Sequence, residues 1–451
     1  MHRLSTRNVL TALACLTATL PAFSQGQATV PASTTVTSLA VATPADVAPV
    51  TVAKPAETPA PTAFSLKFSG FVRNDFSIDS RQNTLLREAS VDLYPKDKQL
   101  DIDGKDINAV TNTNMLAINS RLGMAFSGPD AFGAKVSGLL EMEFFGPSDA
   151  AVGAVRLRHA WAKLDWSKRQ IAFGQFWHPL FVPEVFPGVI NFNTGIPFQP
   201  FNRSPQIRLT EHLSKNVHLI IAAIAQRDFT SIGINAGSSE YLRNSAVPNM
   251  HAQLQYKSDR FVAGAAFDYK LLKPRLSVGS GATLRVSNAT VGSTAMMVYM
   301  KAVGKSVTFK AEAMTGSNMT DHVMLGGYLA YGVNGIETSY KPTKITSVWA
   351  DLSGNGKVVV PGIFFGYCTT SGADINAIAA YGRGIALSGR GAINDLMRVS
   401  PRVEFIAGKF KIGTELEITS AAYGTSTSDA KVSDTESFTN TRLLLTTTYA
   451  F

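Results

Sequence analysis

From Phe64 onward the chain alternates. Phe64, Leu66, Phe68, Gly70, Val72, Phe76 and Ile78 occupy even positions, with Ser65, Lys67, Ser69, Arg73, Asp75 and Ser77 between them. A period of two is the signature of an extended strand whose side chains alternate between two environments. The run is far longer than the about 5–6 residues usual for a soluble strand. One face suits lipid and the other suits water. The pattern recurs: Leu116, Ile118, Leu122, Met124 and Phe126 alternate with Asn119, Arg121 and Ser127. Val136, Leu140, Met142 and Phe144 alternate with Lys135, Ser137, Glu141 and Glu143, and Met250, Ala252, Leu254 and Tyr256 with His251, Gln253, Gln255 and Lys257. Further runs lie at 296–313, 397–418 and 443–451.

The connections sort by length. Short turns include 128–133, 167–169, 213–215, 258–259, 303–305, 353–355 and 407–408. Between them lie mostly long, polar, Gly/Ser/Asn-rich stretches at 80–114, 147–154, 178–203, 228–248, 273–293, 317–343, 368–394 and 423–440. Short periplasmic turns alternating with long extracellular loops are the plan of a transmembrane barrel. The expected fold is therefore all-β, a transmembrane antiparallel β-barrel of about sixteen strands. Room for an extra hairpin at 324–343 leaves fourteen and eighteen open. One strand fits neither face: Arg156 and Arg158 share parity with Ala160, Ala162 and Leu164. A β-bulge or a contact between protomers would accommodate it.

Export is expected from the first residues. Arg3 and Arg7 precede the apolar stretch Val9 to Phe23, and Ala22-Phe23-Ser24 offers small residues for cleavage near Gln25. That stretch is shorter than the about 20 apolar residues a spanning helix needs, so residues 1–24 read as a Sec-type signal peptide. Residues 25–62, almost all Ala, Thr, Pro, Val and Ser, read as a disordered periplasmic leader, and 63–451 as the barrel. Cys15 falls within the signal, which leaves Cys368 alone and no intramolecular disulfide. Loss of Arg3 and Arg7 takes the formal net charge from +9 to 9 − 2 = +7. For an exported chain this excess fits a lumen that favours anions, and lipopolysaccharide phosphates at the rim, rather than nucleic acid.

The last strand, with Leu445 and Tyr449 on one face and Phe451 at its end, resembles the C-terminal signature read by the outer-membrane barrel assembly machinery. Arg156-Leu157-Arg158-His159-Ala160-Trp161, followed by Phe173-Gly174-Gln175-Phe176-Trp177, resembles the paired strand motif of the porin superfamily, nearest its DcaP-like branch. Ser69-Gly70-Phe71-Val72 is similar to the first strand of those proteins. The resemblance covers residues 64 to 451. It implies a channel of the cell outer membrane, surrounded by lipid and lipopolysaccharide, usually a homotrimer, with a long third loop folded into the pore. The Pro/Thr-rich leader, which has no heptads, departs from that branch.

Other chemistry finds little purchase. The seven histidines are scattered without metal-ligand spacing, so neither a metal nor a cofactor is expected. Asp101 to Asp106 looks like half a calcium loop but has Asn112 where the twelfth-position Glu belongs, and reads as a solvated acidic turn. Phospholipase-type barrels carry a serine, a histidine and a polar orienter, yet His159 and His251 have no Ser at a fixed offset. No enzyme is expected. The alternatives to a porin are a non-channel adhesin or structural barrel and, behind it, such a phospholipase.

Passive diffusion of small hydrophilic, preferentially anionic solutes needs a water-filled lumen, charged walls and a constriction. Parity nominates Arg73, Asp75, Arg121, Glu141, Glu143, Arg208, Lys270, Arg398, Arg402, Glu404, Glu415, Glu417 and Arg442 as pore-lining. Residues 178–203 differ from the other long connections in being apolar, with Phe181, Phe186, Phe192, Phe198 and Phe201. Exposed, each ring would forgo about 1.5–3 kcal/mol of burial. The segment is expected either to fold inward, offering Glu184, Asn191, Asn193 and Arg203 to the pore, or to pack on a neighbouring protomer.

Overall fold

The computed structural model describes residues 64–146 and 148–451; the expected signal peptide (1–24) and leader (25–62) lie outside them. The alternating runs form β1 (Ser65–Asp79), β2 (Asn112–Leu116 and Arg121–Ala131), β3 (Ala134–Glu143), β4 (Arg156–Asp165), β5 (Arg169–Trp177) and β6 (Arg203–His212). They continue as β7 (Val217–Ile224), β8 (Asn249–Lys257), β9 (Phe261–Leu272), β10 (Val291–Val303) and β11 (Val307–Ser317). The last are β12 (Lys344–Gly354), β13 (Val359–Ser371), β14 (Gly389–Ala407), β15 (Phe410–Ser426) and β16 (Val432–Ala450).

Each strand pairs antiparallel with the next, and β16 returns to β1 in the register Phe71↔Ala450 to Asp79↔Arg442. The two segments of β2 both pair with β1, so they are one strand interrupted at 117–120 and the barrel has sixteen strands. The interruption is held by side chains: Ser120 Oγ accepts the Arg73 amide at 3.0 Å, and Asn119 donates to Asp75 at 2.6 Å. Closure leaves no open edge.

Burial runs opposite to that of a soluble protein. Along β8, Met250, Leu254 and Tyr256 are 41%, 51% and 42% exposed, whereas His251, Gln253 and Gln255 are 2%, 3% and 7%. The outward row of apolar side chains repeats on the other strands, for example Met296 and Val298, Ile363 and Phe365, Leu416 and Ile418. Such a surface is a cost in water and a match for hydrocarbon. The described apolar core, including Leu93, Leu180, Ile196, Phe198, Trp349 and Phe364, lies where loops fold against the inner wall.

The extra hairpin at 324–343 exists but does not join the barrel. Gly326–Val333 pairs with Ile336–Pro342 and with Ala379–Arg383 as a separate three-stranded sheet, which settles the count at sixteen. The long connections expected at 368–394 and 423–440 are shorter than the residue types suggest. Polar ladder pairs extend β14, β15 and β16, so the connections shrink to 372–388 and 427–431. The discordant strand β4 carries a register shift, with Glu141↔His159 followed by Met142↔Leu157. Both Arg156 and Arg158 point inward, not one, and the extra residue sends Trp161 to the lumen on the opposite parity.

Candidate functional site

The third long connection, L3 (178–202), lies inside the barrel. Its neck is closed by the His178 amide on the Asn202 carbonyl at 2.9 Å. Arg73 of β1 donates to the Ile190 carbonyl at 2.7 Å, Lys310 of β11 to Phe186 O at 2.9 Å, and Ser347 of β12 to Phe198 O at 2.6 Å. These anchors come from opposite walls, so the segment crosses the lumen. Phe181, Phe198 and Phe201 are buried, with Phe186 and Phe192 packed beside them. Phe198 lies over Gly366 of β13, where an added Cβ would come within 2.6 Å of the ring.

L3 is also tied to a charged network. Arg398 donates to the carbonyls of Ile196 and of Leu93 in the first long loop, both at 2.7 Å, and its Nε lies 3.3 Å from Glu417. Glu417 accepts from Asn191 at 3.1 Å and Asn193 at 3.0 Å, while Glu415 accepts the Ile190 amide at 2.5 Å. Backbone groups of a loop that leaves water need partners, and these side chains supply them.

The nominated residues therefore divide. Arg73, Arg121, Glu141 and Arg208 border an open cavity of about 620 Å³ on the side facing Phe181, Pro183, Phe186 and Ile190 of L3. Arg158, His159, Trp161 and Trp177 join them, none nominated by parity; the bulge at Arg158 in β4 is what turns His159 and Trp161 inward. Asp75 pairs with Arg73 at 2.7 Å, and Glu143 is enclosed by Arg121, Arg156 and Arg158. Arg398, Glu415 and Glu417 face inward but lie beneath loops instead of lining open lumen, for the reason just given. Arg442 pairs with Asp79 at 2.8 Å, Arg402 with Asp351 at 2.8 Å, and Lys270 with Asp321 of the loop before β12. Glu404, half-buried near the turn end of β14, has no ion pair among the described residues.

Of the loop candidates, Asn191 and Asn193 are spent on Glu417. Arg203 is a correction: it opens β6, is fully buried, and is forked onto Asp228 at 2.7 and 3.0 Å. Glu184 points toward the short-turn end, where it meets Lys257 at 2.7 Å. The acidic turn is exposed, and Asp101 accepts the amides of Asp103 and Lys105. Tyr449 faces outward, and Phe451 bonds to Gly70 through both backbone groups, at 3.0 and 3.4 Å.

The fold also gathers histidines the sequence keeps apart. His178, His251 and Asp268 bring potential ligand atoms within 4.8 Å of one another. The Leu180 amide lies 3.2 Å from His178 Nδ1, and His178 Nε2 lies 3.0 Å from Asn249 Nδ2 and 3.5 Å from Asp268; His251 Nδ1 lies 3.2 Å from the same Asp268 oxygen. His251 Nε2 lies 3.1 Å from Gln253 Oε1, so every ring nitrogen of the pair has a hydrogen-bonding neighbour within the protein.

A closed sixteen-strand barrel, apolar outside and charged inside, with its third loop across the lumen, defines the porin fold. Among solved structures the chain is similar to the outer membrane channel DcaP of Acinetobacter baumannii, at 17% identity over 86% of this chain and 97% of that one, TM-score 0.62. It is also similar to OmpT of Vibrio cholerae (11% identity, 87% and 99% covered, TM-score 0.50) and to an anion-selective porin from Comamonas acidovorans (10%, 86% and 100%, TM-score 0.50). No protein-family model and no curated protein matches the chain. The resemblance carried by the strand motifs holds at the level of fold.

Proposed function

We propose that this chain forms a water-filled channel in the outer membrane through which small hydrophilic solutes diffuse, with a preference for anions. The observation that carries the reading is the wall of the 620 Å³ cavity beside L3, where Arg73, Arg121, Arg158 and Arg208 face a single bordering carboxylate, Glu141. Arg208 has no ion pair among the described residues; it donates to Gln206 at 2.8 Å and to the Trp177 carbonyl at 2.5 Å. Its charge is thus the least compensated of the four. Low-dielectric walls focus such a field and raise the local concentration of counter-ions. The apolar outer band supports a lipid setting, and the signal-like N-terminus supports export. Passage of this kind requires no nucleophile, and the charged groups around L3 serve as ion pairs and loop anchors.

Planar-bilayer recordings across a salt gradient test this. The reversal potential should have the sign of anion preference, and Arg208→Gln should move it toward zero. A cation-selective reversal potential in the unaltered protein would refute the anion reading, and absence of conductance would refute the channel.

A further inference from the structure

The first long loop carries a hairpin, Asn83–Leu86 paired with Val91–Pro95, whose second strand is buried at every position. It sits inside the mouth against L3 and the last three strands. Asn193 donates to the Asp92 carbonyl at 3.3 Å, Arg398 to the Leu93 carbonyl at 2.7 Å, and Tyr423 to the Pro95 carbonyl at 2.7 Å. At the centre of this contact is the carboxyl of Asp92. It is wholly buried, and neither of its oxygens has a hydrogen-bond partner among the described residues.

The charged groups that face it come from four strands. Arg442 of β16 is 3.8 Å away, Glu417 of β15 is within hydrogen-bond reach, and Arg398 of β14 and Asp79 of β1 stand behind them. Arg442 is already forked onto Asp79 at 2.8 Å through two nitrogens, and Arg398 is engaged with Glu417. Two guanidinium groups therefore balance two carboxylates. A third negative charge at Asp92 would have no cation of its own and no hydrogen bond, which is a steep cost in a buried position. A neutral carboxyl can instead donate its proton to Glu417, a carboxylate that is a ready acceptor.

We propose that the first-loop hairpin is a proton-operated flap, seated in the mouth while Asp92 is protonated and released when that proton is lost. Burial, reinforced by Glu417 and opposed by Arg442 and Arg398, pushes the Asp92 carboxyl up to about 7. A raised value means that seating is strongest below the ordinary carboxylate range, where seated and released forms are both protonated. From about pH 4 to about pH 7 only the seated form keeps the proton, so release grows about tenfold per pH unit, and above that it levels off.

The docking half of the inference does not depend on the channel reading. Hydrogen–deuterium exchange on the whole detergent-solubilised protein, corrected for intrinsic rates, should show residues 83–95 losing protection between pH 5 and pH 7.5 while the barrel strands do not. Unchanged protection in that segment overturns the proposal. In bilayers the unaltered channel should conduct more at pH 7.5 than at pH 5. Asp92→Asn, which keeps the shape and removes the charge, should hold the pH 5 conductance at both values. An Asn variant that responds to pH like the parent also overturns it. If that variant does not fold, the exchange measurement on the unaltered protein decides.

Discussion

At the scale of single residues, the inner wall holds two populations of charge that composition alone cannot separate. Arg398 and Glu417 are almost completely buried and hold L3 and the first loop to the wall. Arg398→Met should leave the Glu417 carboxylate buried without its cation, at a cost of about 3–5 kcal/mol. Denaturation of the folded barrel, followed by its heat-modifiable gel migration, measures this. Adding Glu417→Leu should recover much of the loss, since an apolar pair of similar volume removes the stranded charge. Arg208→Gln, by contrast, strands no counter-charge and should cost less, about 0.5–1.5 kcal/mol for each hydrogen bond lost to Gln206 and the Trp177 carbonyl. Alternation alone placed all these side chains inward. Which of them meet water depends on where loops travel, and that path is set by contacts more than a hundred residues apart, such as Arg73 with Ile190. His159 and Trp161 escaped parity because one extra residue in β4, Arg158, inverts every position after it.

At the scale of elements, L3 stands out in the sequence because five phenylalanines in a long connection demand burial. Its route was not readable there, because a loop that packs on a neighbour would carry the same rings. The structure gives it anchors on β1, β11, β12, β14 and β15. Excising residues 183–200 and bridging the gap with a short Gly-Ser segment should raise single-channel conductance. Unchanged conductance together with loss of a trimer would instead make L3 an interface element. The final strand offers a second test. Phe451 lies against Gly70, where an added Cβ would come within 2.7 Å of its ring, and the two residues close the last rung of the barrel. Deleting Phe451 should lower the amount of barrel recovered from outer membranes, as judged by immunoblot of fractionated cells. Undiminished recovery would separate the residue from assembly.

For the whole molecule, strand count and closure follow from a rule that needs no tertiary detail: a barrel strand divides lipid from water, and the sequence must alternate to serve both. That is why β8 and β10 read directly, whereas the separate sheet above the barrel, built from 326–342 and 379–383, did not declare which strands it would join. The two histidines gathered around Asp268 were hidden for a related reason, since only the folded barrel brings L3 against β8 and β9.

The last three strands have a different consequence. β14 and β16 each run 19 residues, about 60 Å of chain, against an apolar band only about 25 Å tall. Along β16 the exposed positions change from Thr435, Ser437 and Thr439 to Leu443, Leu445 and Tyr449. The upper part is thus a stiff, hydroxyl-rich extension of the sheet, turned at its tip by residues 427–431 and braced there by the Ala373 and Ala377 amides on the Asp429 and Ser428 carbonyls. A large particle approaching from that side would meet braced, rigid sheet, and a change confined to this rim would leave the strands that wall the pore below unaltered.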